Sequence, residues 1–226
     1  MKTIRQMGAA LFVATATLLS GQSLAASVTV AGNTVSFTFD SALTGLFGAP
    51  TVVGDSIYFT PTSFKALSSN RERFDFTSQT FNIAVSANAG YEVAGASLAE
   101  QGDYYIIGRG HGRHDHHDRF ARVAVGGKFI MRDLEAPAHK VSSSIFADAP
   151  LTDTTSLGHF DTSEWAASAN LAVPASWGGA DGIVSGVNLT LQNLLIASSF
   201  SCASSAFIEK KFAGIEIIIK IFKIQT

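Results

Sequence analysis

The chain has 226 residues, with 16 Lys and Arg against 18 Asp and Glu, and its content is 46% hydrophobic and only 15% charged. This near-even charge balance excludes a strongly basic nucleic-acid binder, which needs an excess of clustered cations. The 17 phenylalanines exclude a disordered chain, because disordered chains are poor in aromatic residues. We therefore expect a single folded domain with a sizeable apolar core.

Residues 1–26 have the pattern of a cleaved secretory signal peptide. Lys2 and Arg5 supply positive charge, an uncharged apolar run covers Met7–Leu19, and small residues follow at Ser23–Ala26. The apolar run is too short to cross a bilayer, which takes about 20 residues. We predict that the protein is secreted, to the periplasm, the cell surface or the extracellular space, and that residues 27–226 form its mature domain.

The C-terminal segment is apolar and strongly β-prone between Gly214 and Ile224. Three charged residues, Glu216, Lys220 and Lys223, interrupt it, so we expect no transmembrane segment after signal cleavage. If this strand lies at a sheet edge, it is a template for self-association with another copy. A central, buried position is the alternative, with the lysines guarding against aggregation.

Short runs of alternating apolar and polar residues dominate the mature chain, as in Val35, Phe37 and Phe39. Tight turns at Gly32–Asn33, Gly54–Asp55 and Gly126–Gly127 predict three β-hairpins. The stretch from Ser142 to Ser163 lacks a pattern and is predicted to be a long loop. Together these features predict an all-β fold, an antiparallel β-sandwich that is jelly-roll-like or Ig-like.

The single cysteine, Cys202, lies in a serine-rich segment without a neighbouring His or Asp. Because one cysteine cannot staple the fold internally, the domain must rely on its core. We expect Cys202 to be a buried, inert residue, the alternative being an intermolecular disulfide.

The most concentrated chemical feature is a His-rich loop at about residues 108–119. Imidazole nitrogens and carboxylates are ligands for Zn²⁺ or Cu²⁺, which makes this loop a candidate metal site. The alternative is a solvated loop in which Arg and Asp neutralise each other. The candidate ligands are His111, His114, Asp115, His116, His117 and Asp118.

Two tryptophans, Trp165 and Trp177, are candidates for a flat platform that stacks on sugar rings, together with Tyr104 and Tyr105. The alternative is that they pack in the core, as large aromatic side chains generally do. Motifs for a nucleophile elbow, a zinc protease, a phosphate loop and an EF-hand are missing from the sequence, so no catalytic residue is predicted.

Three segments, Ser56–Phe64, Glu100–Tyr105 and Ser205–Phe212, resemble secreted β-sandwich proteins of Gram-negative bacteria related to the PEP-CTERM, exosortase-associated group. The likeness extends from Val28 through the final strand. It implies an exported component of the cell surface or extracellular matrix. The chain departs from the sorted members in having no Pro-Glu-Pro motif, transmembrane helix or basic tail, which favours a soluble or self-associating product over an anchored one.

The sequence thus leads to the hypothesis of a non-enzymatic exported protein that acts by binding or self-assembly. Two rival hypotheses are a carbohydrate-binding module for extracellular polysaccharide and a metal-binding protein that uses the His-rich loop.

Overall fold

The computed structural model describes residues 27–108, 121–154 and 161–222. The predicted signal peptide lies outside these residues. Within them, single-turn 3-10 helices occur at Ser41–Leu43 and Gly45–Phe47. The β-strands are β1 Ser27–Ala31, β2 Val35–Asp40, β3 Thr51–Val53, β4 Ser56–Phe59, β5 Lys65–Ser69, β6 Arg73–Ala87, β7 Tyr91–Gly108, β8 Ala121–Asp133, β9 Lys140–Phe146, β10 Ser163–Ala172, β11 Gly186–Ser199 and β12 Ser204–Ile221.

The strands form two antiparallel sheets that pack face to face, which confirms the predicted β-sandwich. Sheet A has the order β1-β2-β6-β11-β8-β9. Sheet B has the order β10-β7-β12-β4-β3, with β5 paired to one end of β12. The inward-facing residues of both sheets form one continuous apolar core. This is the arrangement expected when each strand has one apolar face to cover.

Phenylalanine rings fill the centre of this core. Phe47 packs edge-on against Phe59 and Phe64, with ring centroids 5.6 and 5.4 Å apart, and Phe59 packs edge-on against Phe81 at 5.2 Å. Phe47 enters the core from the second 3-10 turn. Gln79 of β6 holds that region by donating to the Leu43 and Thr44 carbonyls, both at 2.9 Å. A polar side chain thus anchors an irregular segment whose carbonyls have no strand partner.

Two of the three predicted hairpins are confirmed, at β1–β2 and β3–β4. The hairpin at Gly126–Gly127 is wrong, because both glycines lie inside β8. They pair with Leu194 and Asn193 of β11 on one side and with Phe146 and Ile145 of β9 on the other. A turn there would break the hydrogen bonds to both neighbouring strands. The two glycines therefore continue the strand, as residues without a side chain, and do not reverse the chain.

The predicted loop from Ser142 to Ser163 is wrong in its first part, which belongs to β9. Pairing with β8 places the Ile145 side chain in the core. The strand has little apolar character of its own, because serines make up its middle. β9 is formed by its neighbour in the sheet more than by its own composition, as is common for edge strands.

The C-terminal strand β12 occupies a central position in sheet B. It pairs with β7 along its length and with β5 and then β4 on its other side. The predicted alternative of a central strand is therefore correct. The whole strand does not form an exposed sheet edge that could act as a template. In the described ranges, none of the helical segments is long and apolar enough to cross a membrane.

Candidate binding faces

The six candidate metal ligands, His111, His114, Asp115, His116, His117 and Asp118, lie outside the described residues. The two described residues that flank them are Gly108 at the end of β7 and Ala121 at the start of β8. Among the residues that the structure describes, no three His, Cys, Asp or Glu side chains are grouped in a way that could hold a metal ion. The metal hypothesis stays a prediction for the His-rich loop.

Both candidate sugar-stacking residues are buried, with Trp165 4% and Trp177 5% exposed. Trp165 points inward from β10, and Trp177 stacks beside His139 with ring centroids 6.1 Å apart. Such burial is the opposite of what a sugar platform requires, so the carbohydrate hypothesis draws no support from either indole. Cys202 was expected to be buried, but it is exposed in the turn between β11 and β12, where no core residues surround it.

A β-bulge in β12 determines how Trp165 is held. The pairing of β12 with β7 shifts by one residue between Lys210 and Phe212, so that Lys210 faces the core and Lys211 faces solvent. The Trp165 indole passes the inner side of Gly102 and donates from Nε1 to the Glu209 carbonyl at 2.9 Å. Only a residue without a side chain fits between that indole and that carbonyl.

Below the bulge lies a fully buried ion pair. The Lys210 ammonium is 2.6 Å from Oε2 of Glu100, and both side chains are 0% exposed. Rings of Phe64, Phe47 and Trp165 surround the ammonium, with centroids 5.3, 5.8 and 5.8 Å from Nζ. Burial lowers the pKa of Lys210 below its ordinary value, and the attraction of Glu100 only partly offsets that effect.

The outer surface of sheet A carries an unusual set of exposed apolar side chains. Phe74, Phe76 and Phe146 are 63%, 58% and 65% exposed. The strand register places Phe76 of β6 beside Ile196 of β11. Two residues along β11, Leu194 pairs with Gly126, which in turn pairs with Phe146 of β9. We call these the apolar patch: Phe74, Phe76, Phe146, Leu194 and Ile196.

The size of the apolar patch can be estimated from its three rings. Large aromatic side chains bury roughly 150–250 Å² each, so three rings left about 60% open present roughly 270–450 Å² of apolar surface. That is comparable with the largest apolar patch of a typical monomer, and such patches commonly mark interaction sites. A trough of about 480 Å³, lined in part by Ser78, Lys128 and Leu194, continues it along the sheet.

Cations accompany the apolar patch on the same surface. Arg122, Lys128, Arg132 and Lys140 occupy outward positions of β8 and β9. The outward positions of β6, β8, β9 and β11, all of them within the described ranges, hold no Asp or Glu. For a chain with a formal net charge of −2, this makes the β6-β11-β8-β9 part of the outer surface of sheet A locally cationic, while β2 places one carboxylate, Asp40, on the same surface.

The outer surface of sheet B has the opposite charge. Its outward positions hold five carboxylates and three lysines, and Lys211 is already paired with Asp103 and, at 3.3 Å, with Glu209. The carboxylates are Glu92, Asp103, Glu164, Glu209 and Glu216, and the lysines are Lys65, Lys211 and Lys220.

Sheet B also has an apolar row on its outer surface. Tyr105 stacks on Phe207 with centroids 5.4 Å apart, and the register places half-exposed Leu67 beside Phe207. This row lies near the end of the sandwich where β11 turns into β12, which is also the end that carries the apolar patch of sheet A. Both outer surfaces are thus apolar at this end, and sheet B has two further exposed apolar side chains, Val53 and Ile218, towards its opposite end.

These two surfaces were missed at the sequence level. In Arg73–Thr77 the phenylalanines alternate with Asp75 and Thr77, which looks like another strand that turns its rings into the core. Asp75 and Thr77 instead face inward, where Asp75 accepts from the Leu67 amide at 2.9 Å and Thr77 donates to the Lys65 carbonyl at 2.6 Å. The signal in the sequence was the absence of acidic residues from the alternate positions of β8.

Comparison with protein-family models and with curated proteins found no match for this chain.

Proposed function

We propose that the protein is an exported, non-enzymatic β-sandwich that assembles by stacking the outer surface of sheet A of one copy on the outer surface of sheet B of the next. The observation that carries this proposal is the match between the two surfaces. Both are apolar at the end where β11 turns into β12. Away from that end, sheet A carries Lys128, Arg132 and Lys140, and sheet B carries an excess of carboxylates.

Because the two surfaces match at the same end of the molecule, a translation from one copy to the next would align apolar with apolar and positive with negative. Such a contact is heterologous and does not close, so it generates open assemblies. A standard interface buries about 800 Å² on each partner, a little over half of it apolar. The rings of the apolar patch, at roughly 270–450 Å², supply most of the apolar part of one such contact.

Export to the cell surface or the extracellular matrix is the second part of the proposal. It is supported by the signal-peptide pattern in residues 1–26 and by the resemblance of the mature chain to secreted bacterial β-sandwich proteins.

Light scattering coupled to size-exclusion chromatography tests the assembly over a range of protein concentrations. We expect the mass of the wild-type particle to increase with concentration, and the double variant Phe74→Ser, Phe76→Ser to stay monomeric. Leu134→Ser is the control, because Leu134 is also about half exposed but follows the end of β8, at the opposite end of the sandwich. A wild-type protein that stays monomeric at high concentration would contradict the proposal.

A charge-reversal pair tests the second half of the match. Arg132→Glu alone should weaken assembly, because Arg132 pairs with Asn188 and so lies level with Glu216 of β12. Mixing it with a Glu216→Lys variant should restore mixed particles, since each variant then meets an oppositely charged surface on the other. If the sheet A variant assembles equally well when it is mixed with wild-type protein in place of Glu216→Lys, charge plays no part in the contact.

A carbohydrate-binding module is the second candidate function. Its binding surface would be the outer surface of sheet A and not the two tryptophans. Exposed rings beside four cations on one surface favour an acidic polysaccharide over a neutral one. Polygalacturonate, with dextran as the neutral control, distinguishes the two functions: binding that needs Lys128 and Phe76 in a strictly monomeric protein would favour this candidate over assembly.

A further inference from the structure

Among the described residues, four buried side chains lack the set of partners that such groups usually have: Ser68, Glu100, Asn193 and Lys210. Glu100 and Lys210 have each other, at 2.6 Å. Asn193 is buried on the inner face of β11, and neither its amide oxygen nor its amide nitrogen has a hydrogen-bond partner among the described residues. A buried amide that is left unpaired is costly and rare in folded proteins, so its presence calls for an explanation.

The chain path places Asn193 opposite Lys210. β11 turns into β12 across the sandwich, and the two strands are joined at that turn where the Ser199 hydroxyl donates to the Ser204 carbonyl at 2.8 Å. Moving two residues along each strand from there pairs inward positions across the core: 197 with 206, 195 with 208, and 193 with 210. Packed sheets lie about 10 Å apart, and an extended lysine side chain is long enough to span most of such a gap.

The surroundings of Lys210 suit an amine that reacts as a nucleophile. Burial among Phe47, Phe64 and Trp165 excludes water and lowers the pKa of the amine, which favours its neutral, nucleophilic form. The Glu100 carboxyl lies at hydrogen-bond distance from Nζ, where it can take up and return a proton. A buried ion pair is otherwise a weak source of stability, because desolvation offsets the attraction of the two charges.

We propose that Lys210 and Asn193 form an intramolecular isopeptide bond, with Glu100 as the group that transfers the protons. The bond between Nζ of Lys210 and Cγ of Asn193 forms, and the bond between Cγ and Nδ2 of Asn193 breaks. Glu100 accepts a proton from the attacking amine and donates one to the departing nitrogen, which leaves as ammonia. The step is a transamidation, so no oxidant, reductant or cofactor is consumed.

The product would link β11 of sheet A to β12 of sheet B through the middle of the sandwich. Such a link would act as the covalent staple that a chain with one cysteine cannot make from disulfides. It is independent of the stacking of copies, since all three side chains lie inside one sandwich.

Intact-mass spectrometry of the purified wild-type protein tests this directly. We expect a mass lower by one ammonia than the sequence of the purified chain requires, and a proteolytic fragment in which the peptide of Asn193 is joined to that of Lys210. An unchanged mass with no joined fragment would overturn the proposal. A loss of water, with Lys210 joined to Glu100, would overturn the role of Asn193.

Variants assign the roles of the three side chains. Lys210→Arg and Asn193→Ala should keep the full mass, Asn193→Asp should lose water in place of ammonia, and Glu100→Gln should keep the full mass although both reactants remain. Lys211→Ala is the matched control, because it removes the adjacent exposed lysine and should leave the ammonia loss intact. A folded Glu100→Gln protein that still forms the link would overturn the role of Glu100. The wild-type mass decides whether the bond exists even if a core variant fails to fold.

Discussion

Substituting Gly102 by alanine should destabilise the fold through one identifiable collision. A Cβ atom at this position would overlap the Glu209 carbonyl oxygen and would lie 2.7 Å from Nε1 of Trp165. The carbonyl belongs to the bulge of β12 and the indole is buried, so neither has open space to move into. Either the indole loses its hydrogen bond to Glu209, or the two strands separate locally.

The magnitude follows from these two alternatives. Leaving a buried donor unsatisfied costs about 1–3 kcal/mol, and forcing an extra methyl group into a packed core costs about 1–3 kcal/mol. Replacing glycine also restricts the unfolded chain, which returns about 0.4–1 kcal/mol. Either cost alone, less the glycine contribution, gives up to about 2.5 kcal/mol, and both together give about 1–5.5 kcal/mol. We therefore expect Gly102→Ala to lower the free energy of unfolding by about 1–5 kcal/mol.

Urea unfolding followed by tryptophan fluorescence measures this change, because Trp165 and Trp177 are both buried in the folded state. Gly126→Ala is the matched control: it also lies inside a strand, but a Cβ atom there meets nothing within 4 Å. The loss should be smaller when Gly102→Ala is made in a Trp165→Phe background, which has no indole N–H to displace. Equal unfolding free energies for Gly102→Ala and Gly126→Ala, within about 0.5 kcal/mol, would refute the reasoning.

Three further substitutions have defined outcomes. Arg71 has a φ of 70° in the turn between β5 and β6, so Arg71→Gly should relieve left-handed strain and raise the free energy of unfolding by about 1 kcal/mol in the same urea assay; an unchanged value would show that the turn is not strained. Asp55 accepts from the Thr34 amide at 2.7 Å and the Thr34 hydroxyl at 2.6 Å; burial alone would raise its pKa, but these bonds outweigh burial and lower it. The stability from a lowered carboxyl pKa is present above the unfolded-state pKa and is lost as pH falls through the folded-state value. The free energy of unfolding of Asp55→Asn should therefore fall less than that of wild type between neutral pH and pH values below 4. Acid unfolding curves that run parallel to wild type would contradict this. Cys202→Ser should leave the urea midpoint unchanged, because the residue is exposed, and should abolish labelling by a thiol reagent; a clear loss of stability would show that the sulfur is packed.

Local patterns were enough to predict the turns whose geometry is decided by neighbouring residues. Gly54–Asp55 reverses the chain between β3 and β4 because both short strands on its flanks alternate and can pair with each other. Gly126–Gly127 has the same appearance in the sequence, yet it continues through a strand because β11 and β9 pair on both sides of it. What differs between the two sites is the partner available to each backbone, and that partner comes from distant parts of the chain.

The candidate surfaces and the buried cluster depend on the same kind of distant information. Alternation in the sequence tells which side chains of a strand share a face, but it does not tell which face meets the other sheet. In β6 the rings of Phe74 and Phe76 face outward because β5 covers the opposite face and bonds to Asp75 and Thr77. Charge gave no hint that Lys210 and Glu100 are buried, since lysine and glutamate are almost never fully buried unless they are paired.

Composition and period-two alternation, read from the chain alone, determined that this protein is an all-β domain with two apolar faces to bury against each other. Those properties are local, because each strand carries its own alternation and each tight turn its own glycine. Tertiary structure alone decided which rings stay in solvent, that the final strand is central, and that Lys210 and Glu100 meet in the core. Those outcomes depend on pairing between residues far apart in the chain, and no short window of sequence contains both partners.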